Sequence, residues 1–560
     1  MSWPHRRLGP PRARPGLRPV GAVSTSLALA AALLMPLAVP APAAASNGSS
    51  AFSTLMADYA HTFTSGGHSD LLLVNDYPCT LSGNYACTNA DTSWNYWWEA
   101  NGLMAILDDA ELSGLEDEPT STDIQDAEQL VQGISDTNAG TGCNSANALY
   151  RCYNDDMAWM GLAVLRLWDF TGTSAYLTDA EDLFQQIWSS WGGCSSPGVP
   201  WNRNSPCGKN TAANATAAIL GAELYIRTGT VGYLNDAEAL MAFEEQYLVQ
   251  GSGEVQDTVT FNSNGTVSGV SSTSGGWTYD QGVAIGAGAA LYLAEFKAQR
   301  GYDGVPYLTA ANQVLSYVLS EWTGPLPKGG ANGGCGYGTG GGQGDCGLFN
   351  GILIRYAEQL LQLDGTHTTL YNWLQTNASD AYTNAQSGNL YGPDWTGSSG
   401  NASSYQPLDL STDLSGVYVE NVSQFVGSGE SVYEGEDGLL NFSGVYQNAA
   451  GYSGWGFVGG WNGTGQYDEV APYLHSGGTY QLTFRYSAAA GTASRNLSVN
   501  GAADGTVSFP STSGWGSWTT VSTDVTLDAG LNTVQLEASD GVYLNIDQYE
   551  LTCVSGCATY

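Results

Sequence analysis

Positively charged residues are scarce in this sequence. It has 16 lysines and arginines against 53 aspartates and glutamates, a formal net charge of −37 at pH 7. Because nucleic acids and anionic membranes bind basic surfaces, this composition argues against both as partners. The need to keep an exported protein in solution would explain the same charge. A neutral polymer suits this surface better than a polyanion.

Long apolar runs are also missing after the N-terminus. Five arginines precede an apolar run over residues 27–39, and small residues follow it. This order is typical of a secretory signal peptide, and the run is too short for a membrane anchor. We therefore expect residues 1–45 to be removed, and the mature chain to be a secreted, extracellular monomer that does not bind membranes. The pair Arg6 and Arg7 leaves twin-arginine export open as the route.

Histidine is rare too, and none of the five histidines lies beside a cysteine pair, which argues against zinc. The ten cysteines are close neighbours in twos. The pairs are Cys79 with Cys87, Cys143 with Cys152, Cys194 with Cys207, Cys335 with Cys346, and Cys553 with Cys557. An even number in an exported chain favours disulfides, here five short-range ones, although spacing alone does not fix their connectivity.

Between residues 49 and 425, apolar residues recur every three or four positions and glycine-rich turns interrupt them. This periodicity predicts about twelve helices in six hairpins, the first over residues 49–64. A segment beginning at Phe170 recurs at Arg227, with a weaker copy at Asp303. In each copy we expect a glycine to end a helix in the left-handed conformation. Such hairpins close into a double ring with a cleft at one end.

The pattern changes after about residue 430, where short alternating segments are separated by Gly, Asn and Asp turns. These segments predict antiparallel strands packed as a β-sandwich. The expected boundaries are a helical domain over residues 46–426, a linker over 427–431, a β-sandwich over 432–553 and a tail over 554–560.

Two adjacent aspartates, Asp155 and Asp156, open one predicted helix between Tyr153 and Trp159. Capping would explain them, with Asn154 or Asp155 as the cap and Asp156 at the positive helix end. Glycosidases, however, need one protonated and one ionised carboxyl group beside the scissile bond. Side chains about 100° apart on a helix can reach the roughly 5–5.5 Å separation of a retaining mechanism. Repulsion and partial burial would raise one pKa.

Several motifs in order along the helical part carry a resemblance to a known family. Besides Asn-Asp-Asp at 154–156 they are Tyr96-Trp-Trp-Glu-Ala100, Gly208-Lys-Asn-Thr211 with Asn214, Trp277-Thr-Tyr-Asp-Gln-Gly282, Leu348-Phe-Asn-Gly-Ile-Leu-Ile-Arg355 and Asn389-Leu-Tyr-Gly-Pro-Asp-Trp395. Together they resemble glycoside hydrolase family 76, the endo-α-1,6-mannanases and related fungal cell-wall enzymes. The resemblance implies an all-α (α/α)6 toroid and retaining hydrolysis of α-1,6-linked mannan through a glycosyl-aspartate, with no catalytic cofactor.

The same resemblance implies roles for single residues. Asp155 would be the nucleophile and Asp156 the general acid/base, while Asp280 would orient or assist the reacting sugar unless it caps a helix beginning at Gln281. The substrate-binding candidates are Trp97, Trp98, Glu99, Asn210, Asn214, Trp277, Tyr279 and Asp280. The tryptophans would stack on sugar rings, with core packing as the alternative.

Four segments after residue 430 resemble carbohydrate-binding modules of families 6 and 35. They are Tyr433-Glu-Gly-Glu-Asp437, Gly451-Tyr-Ser-Gly-Trp-Gly-Phe-Val458, Gly514-Trp-Gly-Ser-Trp518 and Leu544-Asn-Ile-Asp-Gln-Tyr549. The resemblance implies a structural Ca²⁺ on Glu434, Glu436 and Asp547, whose hard oxygen donors suit that ion; acids that are merely solvated are the alternative. It also implies sugar contacts from Trp455, Trp515 and Asn545.

Three other functions stay open at this point. A transglycosylase of the same family would use the same covalent intermediate. A non-catalytic polysaccharide-binding or adhesion protein would keep the fold without the chemistry. A lyase or an unsaturated-uronide hydrolase on the same toroid would need basic residues for its anionic substrate, and this chain has few.

Overall fold

The computed structural model describes residues 48–65, 68–78, 95–114, 121–138, 147–271, 276–299, 301–328, 341–405, 407–425, 430–442 and 444–557. The described residues belong to one compact unit. The predicted signal peptide over residues 1–45 lies outside the described residues. In the part that is described, no helix has both the length and the apolar character needed to cross a membrane.

Twelve α-helices make up the first domain over the described residues, in agreement with the periodicity. They are α1 (Gly48–Tyr59), α2 (Tyr96–Leu112), α3 (Thr122–Asn138), α4 (Asn154–Thr171), α5 (Ser174–Trp188), α6 (Thr211–Thr228), α7 (Val231–Tyr247), α8 (Thr278–Lys297), α9 (Gly301–Glu321), α10 (Asp345–Leu363), α11 (Thr368–Asp380) and α12 (Leu410–Phe425). The even-numbered helices form a closed inner ring in which each contacts the next and α12 contacts α2. The odd-numbered helices pack outside it, so the fold is the predicted toroid.

Burial explains which helices lie inside. The inner helices α6 and α8 are rich in Ala and Gly and are buried on nearly every side. The outer helix α5 buries one stripe alone, formed by Ala180, Leu183, Phe184 and Ile187. A helix that is apolar all round belongs in a core, whereas a one-sided helix covers it. The composition of each helix therefore assigns its layer.

Glycines serve two purposes in the ring. Gly282 lets α8 approach α10, because a Cβ there would lie 2.7 Å from the Leu353 Cα. Gly172 and Gly229 end α4 and α6 in the left-handed conformation, with φ of 61° and 68°, which confirms the prediction for two of the repeated segments. The prediction is wrong for the third, because Gly304 lies inside α9, where its close packing against Tyr292 favours a residue without a side chain.

The helical domain also contains short strands. They are β1 (Ala60–Ser65), β2 (His68–Leu73), β3 (Asp76–Tyr77), β4 (Gly208–Asn210), β5 (Thr258–Phe261), β6 (Val267–Ser271), β7 (Gln386–Ser387), β8 (Leu390–Tyr391) and β9 (Leu408–Asp409). The first helix is shorter than predicted, because β1 continues the chain and pairs with β2. Helix α8 starts three residues before the predicted Gln281, which places Asp280 in its first turn.

The second domain is an antiparallel β-sandwich, as the alternating pattern predicts. Its strands are β10 (Glu430–Glu434), β11 (Leu439–Leu440), β12 (Val445–Tyr446), β13 (Phe457–Trp461), β14 (Tyr467–Val470), β15 (Tyr473–Leu474), β16 (Gly478–Ser487), β17 (Ala493–Val499), β18 (Ala502–Phe509), β19 (Thr519–Leu527), β20 (Gly530–Leu531), β21 (Val534–Ala538) and β22 (Leu544–Ser555). One sheet has the order β12-β13-β22-β16-β19, with β10 also on β22, and the other β11-β14-β21-β17-β18. Strand β10 starts inside the predicted linker, and β22 runs past residue 553.

The sandwich packs directly on the helical domain, at the C-terminal ends of the inner helices. Trp455 stacks on Trp168 of α4 with a centroid distance of 6.2 Å, and Tyr292 of α8 donates a 2.6 Å hydrogen bond to the Ala471 carbonyl. Lys297 at the end of α8 donates to the Glu436 carbonyl. The second domain therefore closes one end of the ring.

Two of the five expected disulfides lie wholly within the described residues, Cys194–Cys207 and Cys553–Cys557, and both are confirmed. Cys152 and Cys346 are also disulfide-bonded. The other expected partners, Cys79, Cys87, Cys143 and Cys335, lie outside the described residues.

Candidate active site

The adjacent aspartates lie in the first turn of α4, at the end of the ring opposite the sandwich. The residue that caps this helix is Tyr153, whose side chain makes no capping bond. Asn154 instead donates a 2.7 Å hydrogen bond to the Pro200 carbonyl, so the capping explanation is wrong for Asn154 and Asp155. Both residues are partly exposed, although the Oδ1 atom of Asp155 is itself buried.

Asp155 accepts a 2.9 Å hydrogen bond at Oδ2 from the indole Nε1 of Trp201, a residue that the sequence analysis missed. The Trp201 side chain is 48% exposed, and its ring lies 4.9 Å from that of Tyr153. Burial, and next the charge of Asp156, raises the pKa of Asp155 well above its usual value, while the indole N–H lowers it. A half-exposed ring fixed beside a carboxylate can contact a sugar.

Asp156 faces a guanidinium group on its other side. Its Oδ2 lies 3.6 Å from the Arg151 Nε, and its side chain is 14% exposed. The guanidinium lies 5.0 Å above the Tyr96 ring and donates a 2.7 Å hydrogen bond to Asn138, which fixes its position. Burial raises the pKa of Asp156 to about 7, against the lowering effect of Arg151 and with a further increase from Asp345.

Asp345 is a third carboxylate at this end of the ring. It is exposed, lies in the first turn of α10, and accepts hydrogen bonds at Oδ1 from the indole Nε1 of Trp97 at 2.9 Å and of Trp98 at 3.1 Å. Trp97 is partly exposed and Trp98 is buried, so Trp97 presents more surface to a sugar. The signal for Asp345 was its place three residues before the motif beginning at Leu348.

Aromatic side chains also surround the start of α8. The Tyr279 ring lies 4.2 Å from that of Phe349, and the Trp277 ring lies 5.6 Å from it. Tyr279 donates a 2.5 Å hydrogen bond to Asp257, and its side chain is buried. Trp277 is only partly buried, so it stays a candidate for sugar stacking, while Tyr279 supports the wall behind it.

Asp280 does not face the cleft. Its side chain is fully buried, and burial, followed by the charges of Asp257 and Glu244, raises its pKa well above the usual value. The expectation of direct substrate contact is therefore wrong for this conformation. The capping alternative is wrong as well, because α8 begins at Thr278 with Trp277 as its cap.

Three weaker candidates for sugar contacts are corrected by their hydrogen bonds. Glu99 is buried and accepts from the Leu73 backbone N–H at 3.0 Å. Asn210 caps α6 by accepting from the Ala213 N–H, and Asn214 bonds the Val199 backbone through both ends of its amide. Buried polar groups that are already paired hold the fold together and are not free for a ligand.

The three residues of the sandwich that were expected to contact sugar differ in their exposure to solvent. Trp455 is 8% exposed and packed between the domains, so the expectation is wrong for it. Trp515 is 38% exposed and stays a candidate. Asn545 is buried but lies with the exposed Tyr446 against Gly459, which adds Tyr446 to the candidates.

The expected calcium ligands do converge at one edge of the sandwich. Ser453 Oγ bridges Glu434 at 2.9 Å and Asp547 at 3.0 Å, and Glu436 accepts from the Trp455 N–H. Burial and the neighbouring acids raise the pKa of Glu434 and of Glu436. No described group of three such side chains has metal-binding geometry as it stands, although crowded buried carboxylates are chemically suited to a hard cation.

Two adjacent carboxylic acids with different neighbours, at the open end of a six-hairpin toroid lined with aromatic rings, are typical of a glycoside hydrolase. This chain belongs to glycoside hydrolase family 76, because the family model "Glycosyl hydrolase family 76" matches residues 49–424. The model "Carbohydrate binding module (family 6)" matches residues 440–553.

Solved structures agree with this assignment. An inactive variant of an α-1,6-mannanase from Salegentibacter sp. HEL1_6, in complex with α-1,6-mannotriose, is 27% identical with a TM-score of 0.52, over 67% of this chain and 98% of that one. The Lin0763 protein from Listeria innocua is 25% identical with a TM-score of 0.52, over 68% and 96%.

Among curated relatives, isomaltosyltransferase of Sporosarcina globispora is 34% identical over 117 residues, 20% of this chain and 11% of the relative. The chain thus spans about a tenth of that relative's length.

Proposed function

We propose that this chain is a retaining endo-α-1,6-mannanase that hydrolyses α-1,6-linked mannan by double displacement. The observation that carries the proposal is the pair Asp155 and Asp156, partly exposed at the open end of the ring with different neighbours. The α-1,6-mannanase of known structure supports the linkage, and its inactive variant has two consecutive aspartates replaced by asparagine. We assign the role of that pair to Asp155 and Asp156.

Asp155 is the nucleophile in this proposal. Its carboxylate attacks C1 of the mannosyl unit and forms a glycosyl ester, while the glycosidic oxygen leaves with a proton from Asp156. The Trp201 N–H stabilises the ionised form of Asp155 by a charge-assisted hydrogen bond. Once Asp156 holds the proton, it no longer repels the Asp155 charge.

Asp156 is the general acid and then the general base. A pKa near 7 lets it donate a proton in the first step and accept one from water in the second. Esterification of Asp155 removes a neighbouring negative charge, so the pKa of Asp156 falls when it must act as a base. Arg151 favours the same ionised state.

The remaining features of the proposal concern the rest of the chain. The partly exposed rings of Trp97, Trp201 and Trp277 stack on mannosyl units. Trp515, Tyr446 and Asn545 of the second domain bind carbohydrate, and Glu434, Glu436 and Asp547 hold a structural Ca²⁺ without taking part in the reaction. The enzyme acts outside the cell.

Debranched α-1,6-mannan is the substrate that tests the proposal. We expect oligosaccharides from internal cleavage, with the α-anomer formed first in the NMR spectrum because two inversions restore the configuration. Asp155→Asn and Asp156→Asn should abolish this activity. Full activity in both variants, or a first product of β-configuration, would contradict the proposal. Longer products with an added acceptor oligosaccharide would instead show a transglycosylase.

A further inference from the structure

Asp345 is conspicuous because it joins parts of the ring that are not neighbours. It lies at the start of α10, while the tryptophans that it contacts lie at the start of α2, and α12 stands between these helices in the ring. Two indole N–H groups from consecutive residues meet at its single Oδ1 atom. Its place is therefore fixed by two hydrogen bonds across the mouth of the ring.

We propose that Asp345 is a positioning residue of the cleft, which orients Trp97 through Oδ1 and acts by its negative charge on Asp156. This role rests on the proposed function, in which Asp156 is the general acid/base. The two indole N–H groups and the N-terminus of α10 stabilise the carboxylate of Asp345. Both hydrogen bonds are accepted by Oδ1, so the carboxylate keeps Oδ2 as a second acceptor.

Among the described residues, four charged or titratable groups on the surrounding elements interact electrostatically with Asp156. Asp155 is its neighbour on α4, Tyr96 faces it from α2, Arg151 precedes the helix, and Asp345 faces it from α10. After burial, which is the largest influence, Arg151 lowers the pKa of Asp156 and Asp345 raises it. Arg151 and Asp345 are thus opposed charges, which adjust in opposite directions the pKa that burial has already raised.

The hydrogen bonds to the indole groups give Asp345 a second effect, on the orientation of Trp97. Trp97 is partly exposed, so the orientation of its ring decides whether a sugar can stack on it. The Asp345 carboxylate therefore both fixes the ring of Trp97 and places a negative charge near Asp156. An aspartate with a purely structural role would influence the orientation of Trp97 but not the pKa of Asp156.

Asp345→Asn separates the two effects. The amide keeps an oxygen that can accept both indole N–H groups, but the charge is lost. We expect an almost unchanged KM on α-1,6-mannan, while the basic limb of the pH profile of kcat/KM moves to lower pH by roughly half a unit or more, because Asp156 loses its proton more easily. Asp524→Asn removes another exposed charge, from the second domain, and should leave KM and the pH profile unchanged.

Arg151→Gln is the complementary variant, and it should move the basic limb to higher pH. Asp345→Leu removes both hydrogen bonds as well as the charge, so its KM should rise several-fold and its tryptophan fluorescence should change. If Asp345→Asn leaves the limb where it is while Arg151→Gln moves it, the proposal is overturned.

A measurement without substrate separates this proposal from the proposed function. The protonated carboxyl group of Asp156 gives an infrared C=O band, identified because it disappears in Asp156→Asn. Its titration midpoint should fall in Asp345→Asn and rise in Arg151→Gln. A wild-type chain that shows these shifts but never cleaves mannan would contradict the function alone, and a chain that cleaves mannan without the shifts would contradict the role of Asp345 alone.

Discussion

Aspartates at the two ends of the inner ring differ in the number of their cationic partners. At the end covered by the β-sandwich, Asp108 lies between Arg355, at 2.6 Å, and Arg166. At the open end, Asp156 lies 3.6 Å from the Arg151 guanidinium, and no salt bridge among the described residues reaches Asp155 or Asp345. Asp108 is thus neutralised by two guanidinium groups, whereas the three open-end aspartates lie close to one another with fewer cationic partners.

The pKa values follow from that difference. Burial opposes ionisation of Asp108, yet Arg355 and Arg166 outweigh it and lower the pKa of this group. Burial also opposes ionisation of Asp156, and because Asp345 counters Arg151 the pKa rises to about 7. Asp108, with two cationic partners, is therefore a fixed ion pair, whereas Asp156, with one, has a pKa that suits a proton donor.

The covered end also contains a cavity of about 420 Å³ between the domains, bordered by Asp108, Arg166, Arg355 and, from the sandwich, Trp455. Its ion pairs hold charges that would otherwise be costly to bury. From Asp155 to Trp168, where the sandwich packs, α4 rises about 20 Å. The second domain therefore covers the end of the ring away from Asp155 and leaves the end that carries the aspartates open.

The largest expected effect lies at the open end. Asp155→Ala should lower kcat by about 10⁴-fold or more, because no covalent intermediate can form. Azide should restore part of the activity by occupying the space of the lost carboxylate, and the product would then be a β-mannosyl azide. Asp524→Asn serves as the control. Activity within tenfold of wild type would place the nucleophile elsewhere.

Asp156→Ala should follow with a loss of about 10²–10⁴-fold on mannan, the usual contribution of a general acid. An aryl α-1,6-mannobioside with a good leaving group needs no protonation, so its first step should be nearly unaffected. Comparison of the two substrates by burst kinetics checks this. Equal losses on both would argue against Asp156 as the acid.

The fold and the acid pair could be predicted from the sequence because both are local. A helix is visible as a period of three to four residues, and two adjacent aspartates before an aromatic residue need no distant partner to be noticed. Predictions failed where the partner is distant. Glu99 accepts from Leu73, and Trp455 packs on Trp168 of the other domain, and neither contact leaves a trace in the local pattern.

The same reason explains the residues that were missed. Trp201, in the loop closed by Cys194 and Cys207, is brought to Asp155 by contacts that span 46 positions of sequence. Asp345 reaches Trp97 across 248 positions. Arg151 offered the clearest signal, since arginines are scarce in this chain and it lies just before the acid pair.

The covered end should respond in stability rather than in chemistry. Arg355→Ala leaves Asp108 with Arg166 alone, and we expect a loss of about 3–5 kcal/mol in the free energy of unfolding, as for other broken buried pairs. Urea denaturation measures it. The position of the basic limb should not change. Arg151→Gln should instead shift the basic limb and change the free energy of unfolding little. A shift of the limb in Arg355→Ala would contradict the distinction between the two ends.

Glu244 tests what burial does to an acid whose described hydrogen-bond donor is the Thr211 hydroxyl and not a cation. Burial raises its pKa to about 8. The folded state therefore holds a proton that the unfolded state loses above about pH 4.5, so stability is full below that pH and falls as the pH rises towards 8. The free energy of unfolding in urea should fall between pH 5 and pH 8 in the wild type. In Glu244→Gln this fall should be smaller by about 1–3 kcal/mol. Parallel pH curves would show that Glu244 ionises freely.

The smallest expected effect concerns Trp201→Phe, which keeps a ring beside the open-end acids and removes the N–H donor to Asp155. Loss of one hydrogen bond to a charged group costs about 1.5 kcal/mol, so kcat should fall roughly tenfold while KM changes little. Trp201→Ala also removes the ring and should raise KM. If Trp201→Phe raised KM with kcat unchanged, the indole would serve sugar binding only, and the two aspartates would differ solely through Arg151 and Asp345.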